Sequence, residues 1–183
     1  MPTAAEIAKP TFRQPSLTAD VVVFTRLTHQ DIEDWEGWHD EYPDQRGPDP
    51  TKPGMHVMVI GRQNPPYPHE EGYYCIPGGF NDYAEDPKHA ALRELEEETH
   101  LPRKRLPKLR LVGVYGAPDR DPRRHVVTVA WTCVLPAAKA RVAYGGDDAK
   151  FVTWLRLSDV VKGSYKFGFD HLQIVLDAMK VGP

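Results

Sequence analysis

Three glutamates, Glu94, Glu97 and Glu98, have the i, i+3 and i+4 spacing that places side chains on one face of a helix. Like charges at this spacing repel each other, and the partial negative charge at a helix C-terminus disfavours acidic residues in the last turns. A divalent cation relieves both costs, because hard cations such as Mg²⁺ bind carboxylate oxygens and leave positions for waters and substrate phosphates. The spacing is compatible with a metal-binding helix face, but the helix alone does not decide in its favour. An acidic face exposed to solvent is the alternative.

The loop before this helix adds a second observation. Gly78 and Gly79 allow a backbone turn that a side chain would block, and such a turn can present carbonyl oxygens or N–H groups to an ion or a phosphate. From Gly79 onward the sequence resembles the Nudix box, G-x5-E-x7-R-E-U-x-E-E-x-G-U, in which U is a bulky apolar residue. The matching residues are Gly79, Glu85, Arg93, Glu94, Leu95, Glu97, Glu98 and Leu101. His100 stands where the box usually has a glycine that allows a turn after the helix.

The resemblance to the Nudix family implies an α/β fold, an α/β/α sandwich around a mixed β-sheet. It also implies an enzyme that hydrolyses a nucleoside diphosphate linked to another group. The cofactor would be Mg²⁺, with Mn²⁺ as the alternative. By the resemblance, the metal ligands are Glu94, Glu97, Glu98 and the carbonyl oxygen of Gly78.

The chemistry implied by the resemblance is attack of a metal-activated water on phosphorus, with a nearby carboxylate taking the proton. Arg93 and Glu85 would orient the helix and its carboxylates. The candidates for the base are Glu98, Asp147 and Asp148, and the sequence does not choose among them. The predicted catalytic residues are Arg93, Glu97, Glu98 and Asp148.

Segments outside the box resemble the Nudix proteins that act on ADP-ribose. These segments are 62–67, 75–80, 115–123, 145–149 and 169–171. The resemblance covers about residues 19–180 and implies hydrolysis of ADP-ribose to AMP and ribose 5-phosphate. Two alternatives stay open. One is another nucleotide substrate, such as a different ADP-sugar, NADH or a damaged nucleotide, and the other is a non-catalytic module that senses ADP-ribose.

Arginines near the box are candidates for binding the substrate diphosphate, because guanidinium groups bind phosphates bidentately. Three of them follow a turn that contains glycine, and Arg62 stands at the end of a predicted strand. The predicted substrate-binding residues are Arg62, Phe80, Arg120, Arg123 and Arg124. For the last three the alternative is a solvated loop in which the arginines pair with Asp119 and Asp121.

Local patterns predict the elements that position these residues. Asp86 and Pro87 predict the capped start of the glutamate-bearing helix, and Pro102 prevents it from running far beyond Thr99. Strands are predicted at 19–26, 55–61, 73–76, 109–115, 125–135 and 151–157. Asp170 is predicted to cap a last helix with one apolar stripe. The two helices could cover both faces of a mixed sheet.

The length of 183 residues predicts one domain at 17–183 after a flexible arm at 1–16. Residues 29–54 form a predicted acidic insertion that contains Trp35, Trp38 and Tyr42. These aromatic residues either pin the insertion to the domain, which is the commoner role, or stack on an adenine ring. The insertion could also serve the interface of a homodimer.

Composition excludes several classes of protein and partner. The net charge of −3 argues against a nucleic-acid partner, and no apolar run reaches the roughly 20 residues that span a bilayer. Cys75 and Cys133 lie in predicted strands, which favours free buried thiols and a reducing, cytoplasmic location. The resemblance to the Nudix family implies that the partner is a small-molecule nucleotide.

Overall fold

An eight-stranded mixed β-sheet forms the centre of the described part of the chain. The computed structural model describes residues 14–36, 43–47, 50–62 and 73–182. The strands are β1 (Ser16–Leu27), β2 (Gly54–Arg62), β3 (Tyr73–Cys75), β4 (Gly78–Phe80), β5 (Arg110–Tyr115), β6 (Val126–Leu135), β7 (Ala149–Arg156) and β8 (Lys166–Phe167). Six of them follow the order β5–β6–β1–β2–β3–β8, with β4 beside β1 and β7 beside β2. The predicted mixed sheet is confirmed.

Strand β1 organises the sheet because both of its edges are paired. Along one edge β6 runs parallel to it over nearly the whole strand. Along the other edge two antiparallel strands follow one another, β4 beside Thr18–Asp20 and β2 beside Phe24–Leu27. The short strand β4 leads into the glutamate-bearing helix, so this pairing fixes the start of the helix segment to the sheet.

Five helices occur in the described residues. They are α1 (His29–Glu36), α2 (Pro87–Thr99), α3 (Ala137–Ala140), α4 (Leu157–Val161) and α5 (His171–Val181). Helix α2 begins as predicted, because the Asp86 carboxylate accepts a hydrogen bond from the Lys88 N–H at 2.9 Å. It ends at His100, which adopts the left-handed conformation with φ 55°. Asp170 makes no side-chain cap to α5, so that predicted cap is wrong.

Alternation along β1 produces two cores, one on each face of the sheet. Val21 and Val23 belong to a core that includes Leu95 of α2, whereas Val22 belongs to a core that includes Ile174 of α5. Helices therefore cover both faces, which gives the predicted α/β/α arrangement.

The predicted insertion at 29–54 contains α1 and a 3₁₀ turn at Pro43–Gln45. Trp35 of α1 is 4% exposed, and its ring centroid lies 6.3 Å from that of Trp154 in an edge-to-face contact. Trp35 thus pins this segment to the domain. Trp38 and Tyr42 lie outside the described residues, as does most of the predicted arm, whose last residue begins β1.

The sequence also predicts free buried cysteines and no apolar run long enough to span a bilayer. Cys75 and Cys133 are both free and buried, as predicted. Within the described ranges, each helix is too short or too polar to cross a bilayer.

Leu95 anchors α2 to the sheet and is fully buried. We expect Leu95→Ala to lower the free energy of unfolding by about 2–5 kcal/mol, because it removes buried contacts and leaves a cavity. Urea denaturation followed by circular dichroism measures the loss. Leu111 on the edge strand β5 is 52% exposed, so Leu111→Ala is the control and should change stability by at most about 0.5 kcal/mol. Equal losses for the two variants would contradict this role of Leu95.

Candidate active site

A cavity of about 340 Å³ lies where α2, β4 and the start of β1 meet. All the predicted site residues line it except Arg124. The cavity therefore brings together Arg62, Gly78, Phe80, Arg93, Glu94, Glu97, Glu98, Arg120, Arg123 and Asp148. It also contains Asp147, a predicted candidate for the base, and Gly79 of the box. The other lining residues were not predicted to be catalytic, metal-binding or substrate-binding: Thr18, Asp20, Asp82, Asp121, Val126, Phe169 and His171.

Arg93 connects the carboxylates of α2 to the loop before it. Its guanidinium donates two hydrogen bonds to Glu85, at 2.9 and 3.0 Å, and one to the Phe80 carbonyl at 2.9 Å. One terminal nitrogen also donates to Glu94 at 2.8 Å and to Glu97 at 3.0 Å. The bonds from Arg93 lower the pKa of Glu85 to about 2. This geometry suits the orienting role that the sequence predicts for Arg93 and Glu85.

Glu98 is the buried member of the glutamate face. It is 3% exposed and accepts a hydrogen bond from the Gly78 N–H at 2.9 Å. Burial raises its pKa to about 8, and the neighbouring carboxylates of Glu94 and Asp20 add to the rise. Burial likewise raises the pKa of Glu94. The cavity therefore holds carboxylates whose negative charge is poorly compensated by the protein.

Gly78 and Gly79 allow β4 to pass close to these carboxylates. A Cβ on Gly79 would overlap the Glu94 carboxylate, and a Cβ on Gly78 would overlap Asp20 and the Ala19 carbonyl. The segment is a short strand paired with β1, where the sequence predicted a turn. The close approach of backbone to acid is still the reason that glycine is required here.

The wall opposite α2 is a buried polar network. Asp20 accepts a hydrogen bond from the Thr128 hydroxyl at 2.6 Å, and burial raises the pKa of Asp20 to about 6. Arg120 donates two hydrogen bonds to Asp170, at 2.6 and 2.9 Å, and lies 3.9 Å from Asp20. Asp170, predicted as a helix cap, is therefore the partner of Arg120, whose guanidinium is held by protein carboxylates at the cavity wall.

Sequence reasoning missed Asp20, and it included His171 only in segment 169–171 without assigning the residue a role in the site. The signal for Asp20 is one acidic residue inside the apolar run 19–24, because a charge inside a buried strand needs a partner. His171 accepts a hydrogen bond from the Ile76 N–H at 3.1 Å, and burial lowers its pKa to about 3. The neutral ring lines the cavity. Its position at a helix start carries no distinguishing sequence signal.

Arg123 lies between two aromatic rings of the cavity. Its guanidinium carbon is 5.7 Å from the ring centroid of Phe80 and 5.6 Å from that of Phe169. It also donates hydrogen bonds to Asp121 at 2.7 and 3.0 Å, the pairing that the alternative interpretation of this loop expected. Arg124 lies over Phe80 at 4.9 Å, although it does not line the cavity. The two rings provide flat apolar surfaces beside a planar cation.

A third side of the cavity carries one arginine and two aspartates. Arg62 stands at the end of β2 where the strand register shifts, and its Nη2 lies 3.4 Å from the Asp148 carboxylate. The buried Nε of Arg62 has no hydrogen-bond acceptor within the described residues. Asp147 and Asp148 are exposed and line the cavity, and Asp147 has φ 45°. This side therefore offers an unpaired N–H and two carboxylates.

The NUDIX domain model matches residues 49–175 of the sequence. This chain belongs to the Nudix family. Its sequence is also 35% identical over 125 residues to the ADP-ribose pyrophosphatase of Methanocaldococcus jannaschii. That match covers 68% of this chain and 66% of the archaeal protein. The prediction of a Nudix hydrolase is thus confirmed at the level of the family.

Solved Nudix structures share the fold. The NUDIX domain of Shewanella oneidensis NrtR, complexed with ADP ribose, is 26% identical, with a TM-score of 0.64 and coverage of 98% of both chains. A bifunctional NMN adenylyltransferase/ADP ribose pyrophosphatase from Francisella tularensis, complexed with AMP and an Mn ion, has a TM-score of 0.62. It is 21% identical, and the match covers 94% of this chain and 43% of that chain, so it supports the fold alone.

The Nudix family implies a divalent metal, and the donors present here fit one. Within the described residues, no three acidic, histidine or cysteine side chains converge as a ready-made metal cage. Arg93 instead holds Glu94 and Glu97. The buried Glu98 carboxylate has a raised pKa and shares the cavity with both of them. An all-oxygen set with surplus negative charge suits a hard divalent cation.

The raised pKa of Glu98 makes the stability of the metal-free Nudix domain depend on pH. Its pKa is about 8 in the fold and 4.5 in the unfolded chain, so the folded state binds the proton more tightly. Glu98 ionisation therefore reduces stability as pH rises from about 4.5 to about 8. At about pH 9 with a chelator, we expect Glu98→Gln to be more stable than wild type by about 2–4 kcal/mol, and by much less at about pH 5. Urea denaturation at the two pH values measures the difference.

Glu96→Gln is the control for this prediction. Glu96 lies on the same helix but pairs with Arg103, which lowers its pKa. Its amide variant should gain no stability at the higher pH. A Glu98→Gln variant that also gains none would show that the Glu98 carboxylate is not desolvated.

Proposed function

We propose that this protein is a divalent-metal-dependent pyrophosphohydrolase that cleaves ADP-ribose to AMP and ribose 5-phosphate. The observation that carries the proposal is one cavity that joins the Nudix glutamates to two aromatic rings and to the Nε–H of Arg62, which has no acceptor among the residues that the structure describes. The similarity to an archaeal ADP-ribose pyrophosphatase and to an ADP-ribose-bound Nudix domain supports the substrate.

The glutamate face performs the chemistry in this proposal. Glu94, Glu97, Glu98 and the Gly78 carbonyl would hold Mg²⁺, or Mn²⁺, while Arg93 keeps the carboxylates oriented. When bound, the metal neutralises the pyrophosphate oxygens and activates a water. The water oxygen bonds to one phosphorus as the bond from that phosphorus to the bridging oxygen breaks. Glu98, Asp147 or Asp148 takes the water proton, and each of the three lines the cavity.

The remaining walls recognise the substrate. The Phe80 and Phe169 rings beside Arg123 form a surface on which the adenine stacks. The unpaired Nε–H of Arg62 donates to a phosphate oxygen, which removes the cost of a buried N–H without an acceptor. Arg120 donates two hydrogen bonds to Asp170 and also lines the cavity, so its role in binding the substrate stays a prediction.

A second candidate is a non-catalytic module that senses ADP-ribose. The observation that favours it is the similarity over 98% of the chain to an NrtR domain complexed with ADP ribose. Turnover separates the candidates, because a sensor binds ADP-ribose without hydrolysing it. A cytoplasmic location and a homodimer stay predictions from the sequence, as does the absence of a nucleic-acid partner.

Turnover of ADP-ribose with Mg²⁺ tests the proposed function. We expect AMP and ribose 5-phosphate as products, and loss of activity when a chelator removes the metal. Glu97→Gln and Glu98→Gln should each lower kcat/KM by about 100-fold or more, since each removes a charged group at the reacting centre. Product analysis by chromatography gives both the rate and the site of cleavage.

Glu96→Gln is again the matched variant, because Glu96 neighbours Glu97 in sequence but does not line the cavity. It should retain the wild-type rate. Binding of ADP-ribose without turnover would favour the sensor. Turnover of a different nucleotide in its place would preserve the hydrolase and overturn the substrate.

A further inference from the structure

The helix that carries the Nudix glutamates ends on a residue with an unfavourable backbone conformation. His100 has φ 55° and ψ 17°, a region that glycine adopts readily and that a Cβ disfavours. Glycine is also the residue that the box usually has at this position. Glycine would therefore end the helix at a lower conformational cost than histidine. The need to end the helix does not explain why a histidine occupies this position.

The His100 ring stacks on Tyr144, which lies in the loop between α3 and β7. The two ring centroids are 3.9 Å apart, and the ring planes differ by 12°. The Nδ1 of His100 also lies 3.3 Å from the Tyr144 carbonyl oxygen. Glycine at position 100 could make neither contact.

Backbone hydrogen bonds join the same loop to the last turn of α2. The Tyr144 N–H donates to the Thr99 carbonyl at 3.2 Å, and the Gly146 N–H donates to the Glu98 carbonyl at 3.1 Å. These carbonyls belong to the helix end, where intrahelical donors are absent. Gly146 lies so close that a Cβ there would overlap the His100 ring and the Glu97 carbonyl. The loop is thus packed directly against the residues of the glutamate face.

Asp147 and Asp148 follow this packed segment immediately. Both line the cavity and both are exposed, and the Asp148 carboxylate also pairs with Arg62 at 3.4 Å. The backbone immediately before them lies against the end of α2, where the Tyr144 and Gly146 amides donate to helix carbonyls and the His100 ring stacks on Tyr144. His100 itself does not line the cavity.

We propose that His100 is a positioning residue, whose stacking on Tyr144 holds loop 143–148 so that Asp147 and Asp148 face the glutamates of α2. The kinetic consequence rests on the proposed function, whereas the position of the loop does not. Losing the stack shifts the two carboxylates relative to the reacting centre and lowers kcat more than it changes KM.

The test compares His100→Gly with His100→Phe. Glycine relieves the left-handed conformation, so we expect Tm at or above that of the wild type. It removes the stack, so kcat should fall about tenfold with little change in KM. Phenylalanine keeps a ring and should restore most of kcat. Amide hydrogen exchange by NMR, without substrate, should be about tenfold faster for Tyr144 and Gly146 in His100→Gly and slow again in His100→Phe.

Two further variants sharpen the test. Ala84→Gly is the control for the backbone effect. It places glycine at another exposed residue in the left-handed conformation, φ 63°, without removing a ring, and it should leave kcat unchanged. Tyr144→Leu removes the other ring, and combining it with His100→Gly should cost no more than either change alone. Additive losses, or a stable His100→Gly with wild-type kcat and amide exchange, overturn the inference.

A failure of the proposed function would give a different set of results from a failure of the loop inference. If the wild type does not hydrolyse ADP-ribose but the amides of Tyr144 and Gly146 respond as described, the substrate assignment fails and the loop inference stands. If ADP-ribose is hydrolysed and the amides do not respond, the loop inference alone is wrong.

Discussion

The rest of the site depends on the hydrogen bonds that the Arg93 guanidinium donates. Its guanidinium binds two carboxylates of α2, a third carboxylate in the preceding loop, and the Phe80 carbonyl at the end of β4. Without this cation, acidic side chains would repel one another at the C-terminal half of a helix, where the dipole already disfavours them. One partly buried charge thus connects the helix, the loop and the strand in a single arrangement.

The local part of this arrangement could be predicted from the sequence. Helix α2, its Asp86 cap and the shared face of Glu94, Glu97 and Glu98 follow from periodicity and capping, which act over a few residues. The resemblance to the Nudix box also predicted that Arg93 orients these carboxylates. Six of the eight strands were also predicted within a few residues, because alternation and apolar runs are local signals.

The opposite wall could not be predicted in the same way. Arg120 and Asp170 are fifty residues apart in sequence, and Asp20 and Thr128 are separated by 108. No local pattern states which distant acid an arginine meets, so the pairing of Arg120 with Asp170 was missed and Asp170 was assigned to a helix cap. The tertiary fold supplies each with a protein partner. Glycine-rich β4 was likewise predicted as a turn, because its pairing with β1 is non-local.

The pairing of β1 with β6 has a consequence for folding order. These strands are parallel neighbours at the centre of the sheet, yet about 110 residues separate their partners, as in Val21 and Trp131. A ribosome therefore completes β1, β2 and the whole of α2 before the strand that closes the central pair exists. Contacts at such separations are slow to form because loop closure must precede them. The glutamate face is thus synthesised early, but the cavity it borders is assembled late.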